Sequence, residues 1–289
     1  MDVGFVGLGI MGLPMARNLA RGGHRLHLFA RRPEALAAFE GTDAVAHASP
    51  SDVGRAASIV FTILGDTPDV EAVLLGRDGV AGGMAEGGLV IDMTTASPSG
   101  IRSVARALEE RGIDFLDAPV SGGQIGAEQG TLSIMIGGSG SAVERARPLF
   151  ELLGKNVVHV GPSGAGQVAK ACNQILAAVT IEGVAEALTF AGAHGVDAAK
   201  VREALLGGFA YSKVLEIHGK RMLDGAYAPG FKAKLHAKDM RIVRASAAEA
   251  GLDLPCAEAA SERIDRLVAE GKGELDSSAL ATLFERGKA

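Results

Sequence analysis

The stretch Asp2-Val3-Gly4-Phe5-Val6-Gly7-Leu8-Gly9-Ile10-Met11-Gly12 decides the fold. A short apolar strand runs into the pattern G-x-G-x-x-G, and the pattern opens a predicted helix. Gly7 permits a tight turn, Gly9 permits close approach of a pyrophosphate, and Gly12 permits close packing of the helix on the strand. The free N–H groups of the helix start favour phosphate. We therefore predict that a dinucleotide is bound by Gly7, Leu8, Gly9, Ile10, Met11 and Gly12. The alternative is a purely structural glycine turn.

Outward from this turn, the first half of the chain alternates apolar runs with helical stretches. The predicted strands are Val3–Val6, Leu26–Phe29, Ile59–Leu64, Leu89–Ile91, Phe115–Leu116, Ser133–Ile136 and Val157–Val160. The helices predicted between them are Met11–Arg21, Glu34–Phe39, Asp69–Leu75, Ser99–Arg111 and Ala142–Leu153. The first strands carry almost no alternating polar residue, which is typical of strands buried on both faces of a parallel sheet. The pattern predicts an α/β Rossmann-type N-terminal domain.

The pattern changes near Gly161–Gly164, and no strand is predicted beyond it. A long, mostly apolar helix is expected over Gln167–Ala193 and would join the two domains. Further helices are predicted at Asp197–Leu206, Ser212–Leu223, Lys232–Ala250, Cys256–Glu270 and Ser277–Arg286, with Asp197 and Ser277 as N-caps. We therefore expect a Rossmann domain over residues 1–162 and an all-α domain over residues 163–289.

The length, composition and net charge of the chain restrict the classes of protein to which it can belong. A chain of 289 residues corresponds to about two domains. The net charge of -5 and the 4% aromatic content disfavour a nucleic-acid partner. We expect no membrane span, no signal peptide and no metal site, and the two unrelated cysteines, Cys172 and Cys256, favour a reducing, cytoplasmic setting. The buried-looking long helix suggests a homo-oligomer.

The end of the second strand indicates which dinucleotide is bound. NAD enzymes place an acidic residue there, whereas this chain has Ala30-Arg31-Arg32-Pro33. A guanidinium matches a phosphate bidentately. We therefore expect Arg31 and Arg32 to hold the 2′-phosphate of NADP(H), while NAD(H), with the two arginines as a solvated pair, stays open.

Four stretches resemble one family, the β-hydroxyacid dehydrogenases, in the family's order along nearly the whole chain. They are Gly4–Ala16, Asp117-Ala118-Pro119-Val120-Ser121-Gly122-Gly123, Gly164–Asn173, and Gly230-Phe231 with Lys238-Asp239. Within the family, Lys170-Ala171-Cys172-Asn173-Gln174 is most similar to the tartronate semialdehyde (2-hydroxy-3-oxopropionate) reductases. The resemblance implies an NAD(P)-dependent oxidoreductase that interconverts a small 3-hydroxy acid and its semialdehyde, with the active site in a cleft between two domains and with a helical domain that helps to form a dimer or tetramer.

The resemblance also implies roles for individual residues. Lys170 matches the catalytic lysine. The residues expected at the substrate are Ser121, Gly122, Gly123, Asn173 and Phe231, and those added at the cofactor are Leu64, Thr95 and Lys238. Two positions depart from the family pattern: Gly65 stands where many relatives have proline, and Gln174 stands where some have asparagine.

The residue type supports the role of Lys170. Hydride transfer to a carbonyl needs one proton at the oxygen, and an ammonium can donate it. Lys170 lies in a stretch almost without other charges, which fits a solvated helix face poorly. The carboxylates of Asp92 and Asp117 are expected to be caps or turn formers. The alternatives left open are 3-hydroxyisobutyrate dehydrogenase, succinic semialdehyde reductase, imine reduction, which the lysine disfavours, and a cofactor-binding regulator without turnover.

Overall fold

The computed structural model describes residues 1–284 and divides into two compact units, Met1–Lys170 and Ala171 onward. The sequence-based boundary, after residue 162, falls within the first unit. The first residues of the long helix belong to that unit because they are hydrogen-bonded to Asp117 and Thr94 at its strand ends.

The first unit contains a twisted sheet with helices on its faces. Within residues 1–284 the strands are β1 Asp2–Val6, β2 Arg25–Phe29, β3 Val45–Ala46, β4 Ile59–Thr62, β5 Leu89–Asp92, β6 Asp114–Asp117, β7 Val120–Ser121, β8 Leu132–Gly137 and β9 Gly154–Gly161. Their order is β3-β2-β1-β4-β5-β6-β8-β7, with β9 paired to β8. Strands β3 to β6 in that order are parallel, which is the dinucleotide-binding arrangement. The predicted α/β fold is confirmed.

The edge of the sheet departs from this parallel pattern. Strand β8 pairs antiparallel with β6 and β7, and parallel with β9. All seven predicted strands are present, whereas the two-residue strands β3 and β7 were not predicted, because two residues carry no readable periodicity.

Helices cover both faces of this sheet. They are α1 Gly12–Arg21, α2 Pro50–Ala56, α3 Thr67–Leu75, α4 Val80–Gly83, α5 Pro98–Glu109, α6 Gly123–Gln129 and α7 Gly140–Leu153, with a 3₁₀ helix at Pro33–Phe39. Alternate strand residues enter different cores: Phe5 and Phe61 lie in one, Val6 and Val60 in the other. This two-sided burial explains the continuous apolar runs of the strands. The prediction missed α2, α4 and α6, which are short and contain glycine.

The second unit is helical. The long helix α8, Ala165–Ala193, runs from the first unit into it and is followed by α9 Ala198–Leu206, α10 Lys213–Asp224, α11 Ala233–Glu249, α12 Pro255–Leu267, a π-helical turn Val268–Lys272 and a 3₁₀ helix Ser277–Leu283. Over residues 162–284 an isolated bridge between Lys232 and Asp276 is the one β pairing. Among the helices of residues 1–284, α8 alone is long and apolar enough to cross a membrane, a property that core helices of soluble proteins share.

Two predicted N-caps have different outcomes. Asp197 caps α9 through the N–H of Ala199, as predicted. Ser277 is not a cap: Asp276 caps the last 3₁₀ helix by accepting the N–H of Ser278. A carboxylate accepts backbone N–H groups at a helix start at least as well as a serine hydroxyl does, so the cap falls one residue earlier. The end of the helix predicted to reach Arg286 lies outside the described residues.

Candidate active site

In the turn after β1, two of the three motif glycines are required by the surrounding backbone, and the third faces open space. Gly7 has φ +104°, and a Cβ added there would stand 2.2 Å from the carbonyl oxygen of Ile63. A Cβ on Gly12 would stand 1.9 Å from the carbonyl oxygen of Gly7. A Cβ on Gly9 would meet no atom within 4 Å. Side chains at residues 7 and 12 would therefore collide with the backbone, and the space beside Gly9, next to the start of α1, is open. A bound pyrophosphate needs an open backbone turn of this kind at a helix start.

A groove of about 540 Å³ lies beside this turn. Leu8, Gly9 and Ile10 line it, and the charged residues in its lining are two arginines, Arg17 and Arg32, and two glutamates, Glu34 and Glu128. The structure thus brings the glycine turn and one of the two predicted phosphate-binding arginines to the same groove. Because the groove combines an open backbone turn with guanidinium groups, the residues present fit the phosphates of a dinucleotide.

Arg31 has a different environment from Arg32. Its guanidinium is largely exposed and lies 3.9 Å from a carboxylate oxygen of Asp69, in the first turn of α3. Gly65 makes room for that carboxylate, because a Cβ at residue 65 would stand 2.6 Å from Oδ2 of Asp69. The departure from proline at residue 65 therefore leaves space for a carboxylate beside Arg31.

The ends of β4 and β5 are joined by hydrogen bonds. The N–H of Leu64 donates to the hydroxyl of Thr94, and that hydroxyl donates to Asp92. Asp92 is fully buried, and burial raises the pKa of its carboxyl to about 7, although hydrogen bonds from Thr94 and Thr62 oppose the shift. These contacts fix the backbone on either side of the predicted cofactor residues Leu64 and Thr95 at the carboxyl edge of the sheet.

Asp117, at the end of β6, caps the long helix from a distance in sequence. Its two carboxylate oxygens accept the N–H of Gly164 at 2.7 Å and the N–H of Gln167 at 2.9 Å. Burial raises the pKa of this carboxyl to about 6, and the backbone hydrogen bonds from Gly164 and Gln167 oppose the shift. The prediction of Asp117 as a cap is confirmed, but which helix it caps was not readable from the sequence.

The predicted substrate residues Ser121, Gly122 and Gly123 begin four residues after Asp117. Ser121 ends β7 and pairs with Ser133 of β8. Gly122 has φ +133° and Gly123 has φ +62°, which an L side chain rarely adopts. Two successive residues of this kind turn the chain sharply into α6, so the run of glycines has a backbone reason.

Lys170 is the last residue of the first unit and lies in the second turn of α8. Its exposed fraction is 7%, although lysine is among the residues that are least often buried. Such burial distinguishes it from the ordinary surface lysines of the chain, for example Lys200 on α9, whose side chain is 76% exposed.

In the second unit, a chain of hydrogen bonds joins α8 to α11. Asn173 donates to the side-chain oxygen of Gln174, and Gln174 donates to Asp239 at 2.5 Å. The ammonium of Lys238 lies 3.0 Å from the other oxygen of Asp239. The predicted residues Asn173 and Lys238 therefore belong to one network. Gln174 and Asp239 connect them, a role that no local sequence signal revealed.

Phe231 belongs to a different cluster of the second unit. Asp276 is almost completely buried. Its carboxylate accepts hydrogen bonds from the N–H groups of Gly230 and Phe231 and forms an ion pair with Arg221. Burial opposes ionisation of Asp276, but hydrogen bonds from His218, Ser278 and the backbone outweigh it and hold the pKa of this carboxyl well below its usual range. Sequence reasoning missed Asp276 because its partners lie 46 and 45 residues away.

Metal binding is not suggested by the geometry. Over residues 1–284, no three or more His, Cys, Asp or Glu side chains are grouped so that they could hold a metal ion.

Comparison with known proteins agrees with this geometry. Residues 2–161 match the model of the NAD-binding domain of 6-phosphogluconate dehydrogenase, and residues 164–284 match that of the NAD-binding region of NADP-dependent 3-hydroxyisobutyrate dehydrogenase. The chain is 47% identical to 2-hydroxy-3-oxopropionate reductase of Escherichia coli, over 99% of this chain and 97% of that protein. It is 37% identical to an NAD-dependent L-serine dehydrogenase of Pseudomonas aeruginosa, over 98% of each chain.

Solved structures agree with these sequence matches. The 3-hydroxyisobutyrate dehydrogenase of Mycobacterium tuberculosis, solved with L-serine, superposes with a TM-score of 0.91 and 30% identity, over 99% of both chains. The matches span both units of the chain. The protein therefore belongs to the 3-hydroxyisobutyrate dehydrogenase-like family of NAD(P)-binding oxidoreductases.

Proposed function

We propose that this protein is an NADPH-preferring reductase of a small, carboxylate-bearing semialdehyde, with 2-hydroxy-3-oxopropionate as its substrate and Lys170 as its catalytic residue. The burial of Lys170 near the start of α8 is the observation that carries the proposal. The 47% identity to the Escherichia coli 2-hydroxy-3-oxopropionate reductase supports the choice of substrate.

Lys170 supplies the proton in this proposal. The dinucleotide, when bound, supplies a hydride to the aldehyde carbon. The ammonium of Lys170 donates a proton to the carbonyl oxygen, which becomes the hydroxyl of the product, and neutral Lys170 accepts that proton in the reverse direction. A positioned acid or base of this kind contributes on the order of 10²–10⁴ in rate.

The remaining residues bind and orient. Ser121, Gly122 and Gly123 would hold the substrate carboxylate through a hydroxyl and backbone N–H groups. Asn173 and Phe231 would complete the substrate site, and the networks around Asp239 and Asp276 support these two residues. In this division of work the Rossmann domain binds the cofactor, and the helical domain contributes to substrate binding and to dimerisation.

Arg31 and Arg32 would make the enzyme prefer NADP(H), because a guanidinium pairs with a 2′-phosphate. The groove beside the glycine turn supports Arg32 in this role. Gly7–Gly12, Leu64, Thr95 and Lys238 are the other residues proposed to contact the cofactor. Asp69, 3.9 Å from Arg31, adds a negative charge to that position. NAD(H) is therefore the alternative cofactor, and the related serine dehydrogenase is named as NAD-dependent.

Oxidation of 3-hydroxyisobutyrate is the second candidate function. The observation in its favour is the superposition on the Mycobacterium tuberculosis 3-hydroxyisobutyrate dehydrogenase. The two candidates use the same residues and differ in the substituents of a three-carbon acid, so substrate tests separate them.

We also propose a cytoplasmic homodimer or homotetramer. Support comes from exposed apolar side chains in the second unit, among them Leu176 and Phe190 of α8, each 68% exposed. Burial of such side chains against another copy is favourable, at roughly 25 cal/mol per Å². Sedimentation analysis of the full chain tests this assembly, and a monomer at micromolar concentration would contradict it.

The activity test measures oxidation of NADPH and NADH against 2-hydroxy-3-oxopropionate, succinic semialdehyde and the semialdehyde of 3-hydroxyisobutyrate. We expect the highest kcat/KM with NADPH and 2-hydroxy-3-oxopropionate. Lys170→Ala should lower kcat by about 10²–10⁴-fold and should leave NADPH binding, followed by the fluorescence of the reduced cofactor, within about threefold, because the lysine acts at the carbonyl.

Lys200→Ala is the matched control, since it removes an exposed lysine from a helix of the second unit. Its kcat for semialdehyde reduction should equal that of the wild type. Equal activity of the Lys170 variant and the wild type would remove the proposed mechanism, and inactivity of the wild type on every semialdehyde would remove the proposed substrate class.

A further inference from the structure

The first turn of α8 is held by two buried side chains that lie outside the predicted site. We propose that Asp117 and Gln167 are positioning residues for Lys170: together they fix the start of α8 against the ends of β5 and β6. This inference rests on the proposed catalytic role of Lys170.

Asp117 holds the backbone of the helix start. Its carboxylate accepts the N–H groups of Gly164 and Gln167, one on each oxygen. Glycines clear the space around it, since a Cβ on Gly137 would stand 2.5 Å from Oδ1 and a Cβ on Gly166 would stand 2.8 Å from Oδ2. A negative charge at this end of a helix is also favourable. Asp117 therefore fixes the position in space at which α8 begins.

Gln167 holds the same turn through its side chain. Its oxygen accepts the N–H of Ala96 at 3.0 Å, and its nitrogen donates to the carbonyl of Thr94 at 2.7 Å. Both hydrogen bonds are buried, and Gln167 is 1% exposed. They bracket Thr95, which is proposed to lie near the nicotinamide. The amide uses both ends of its dipole, so few other side chains could replace it.

All of these contacts hold the helix turn that precedes Lys170. Lys170 follows Gln167 by three residues, which is about 4.5 Å along the helix axis and nearly one turn. Ser121 follows Asp117 by four residues along the strand and loop. Asp117 and Gln167 thus tie the proposed acid, the proposed carboxylate-binding loop and the segment at Thr95 to one another. Misplacement of a reacting group by about 1 Å costs up to roughly 10²-fold in rate, so loss of the ties should appear in kcat.

Asp197 offers a matched control, because it also caps a helix and lies outside the proposed site. Its carboxylate accepts the N–H of Ala199 at the start of α9. Asparagine at residue 197 keeps an accepting oxygen and is about as good an N-cap as aspartate. At residue 117, in contrast, both carboxylate oxygens accept backbone N–H groups, so the NH₂ of asparagine would face an N–H that needs an acceptor.

The experiment compares Asp117→Asn, Gln167→Met and Asp197→Asn in the full chain. We expect kcat for semialdehyde reduction to fall about 10–100-fold in the first two variants and to stay within about twofold in Asp197→Asn. The dissociation constant for NADPH should stay within about threefold in all three, because the glycine turn is untouched. Hydrogen exchange of the segment 162–172 should be faster in Asp117→Asn than in the wild type.

A second readout does not depend on turnover. The rate at which an amine-reactive acylating reagent labels Lys170, measured by mass spectrometry, should rise in Asp117→Asn and Gln167→Met but not in Asp197→Asn. If Asp117→Asn does not fold, Gln167→Met decides the matter by itself.

Unchanged kcat and unchanged labelling would overturn the positioning role, even if hydrogen exchange becomes faster, since Asp117 would then be only a helix cap. A parallel loss of NADPH binding would overturn it as well, because the damage would not be confined to Lys170. Failure of the proposed function looks different: Lys170→Ala would keep its activity while the labelling rates still respond to Asp117.

Discussion

At the scale of single residues, opposite charges lie side by side where the cofactor's adenosine end is proposed to bind. Arg31 is the exposed partner of Asp69, whereas Arg32 lines the groove beside the glycine turn. An exposed ion pair of this kind contributes little to stability, typically about 0–1 kcal/mol. Its importance is therefore for the choice of ligand rather than for the fold.

Arg31→Asp should shift cofactor preference toward NADH. The substitution replaces a partner of the 2′-phosphate by a carboxylate, which repels the phosphate and accepts hydrogen bonds from a ribose hydroxyl. We expect the ratio of kcat/KM for NADPH to that for NADH to fall by about 10-fold or more, equivalent to roughly 1.4 kcal/mol.

Arg77→Asp is a suitable control, because Arg77 lies beyond the end of α3 and outside the proposed site. It should leave the ratio unchanged. An Arg31→Asp enzyme that kept the wild-type ratio would show that Arg31 does not contact the 2′-phosphate.

At the scale of structural elements, one carboxylate organises a loop. Asp276 joins the loop at Gly230 and Phe231 to α10, through Arg221 and His218. Phe231 also packs its ring edge-on against His236, with ring centroids 5.6 Å apart. The loop is therefore held by the C-terminal 3₁₀ region rather than by its own sequence.

Asp276→Ala should destabilise the second unit. It leaves two backbone N–H groups without their acceptor and Arg221, which is partly exposed, without its carboxylate. Removal of one partner of a buried ion pair costs about 3–5 kcal/mol, and the partial exposure of Arg221 places this variant toward the lower figure. We expect the urea midpoint to fall and KM for the semialdehyde to rise if Phe231 contacts the substrate.

Asp224→Ala, which removes the exposed partner of Lys220, should cost less than about 1 kcal/mol. Similar costs for the Asp224 and Asp276 variants would contradict the role assigned to Asp276.

The elements also show where sequence patterns are informative. Strands β1, β4 and β5 were predicted correctly because each contains a continuous apolar run bounded by turn residues, and β2 because only His27 interrupts its apolar run. Helices α2, α4 and α6 were missed because each is short and packed by its neighbours rather than by its own periodicity. The site residues were predicted from the family resemblance rather than from periodicity, and the contacts of Gln174, Asp239 and Asp276 were not predicted.

At the scale of the whole molecule, the buried carboxylates make stability depend on pH. Asp92 has a pKa of about 7 in the folded protein and 3.8 as the usual value. The folded state therefore binds more protons than the unfolded state between about pH 4 and pH 7, so the contribution of Asp92 to stability falls as the pH rises through that window.

Asp92→Asn should remove this dependence, because asparagine does not ionise. Relative to the wild type, we expect the variant to gain roughly 1–4 kcal/mol in the free energy of unfolding between pH 4.5 and pH 7.5. Urea unfolding at both pH values measures it. A difference between variant and wild type that is the same at both pH values would show that Asp92 is ionised in the folded protein at pH 4.5.

The sequence by itself determined the strand–turn–helix unit at residues 2–21, the alternation of strands and helices and the helical second half. These features depend on local periodicity and on glycines whose backbone geometry is dictated nearby. Lys170 became the candidate catalytic residue through the family resemblance. The tertiary structure decided which residues hold these elements in place. Asp117 caps a helix that begins 48 positions later, Gln167 reaches back to Thr94 and Ala96, and Asp276 holds Phe231. Such contacts arise when distant segments are packed together and their buried polar groups must find partners, and a local pattern carries no record of that choice.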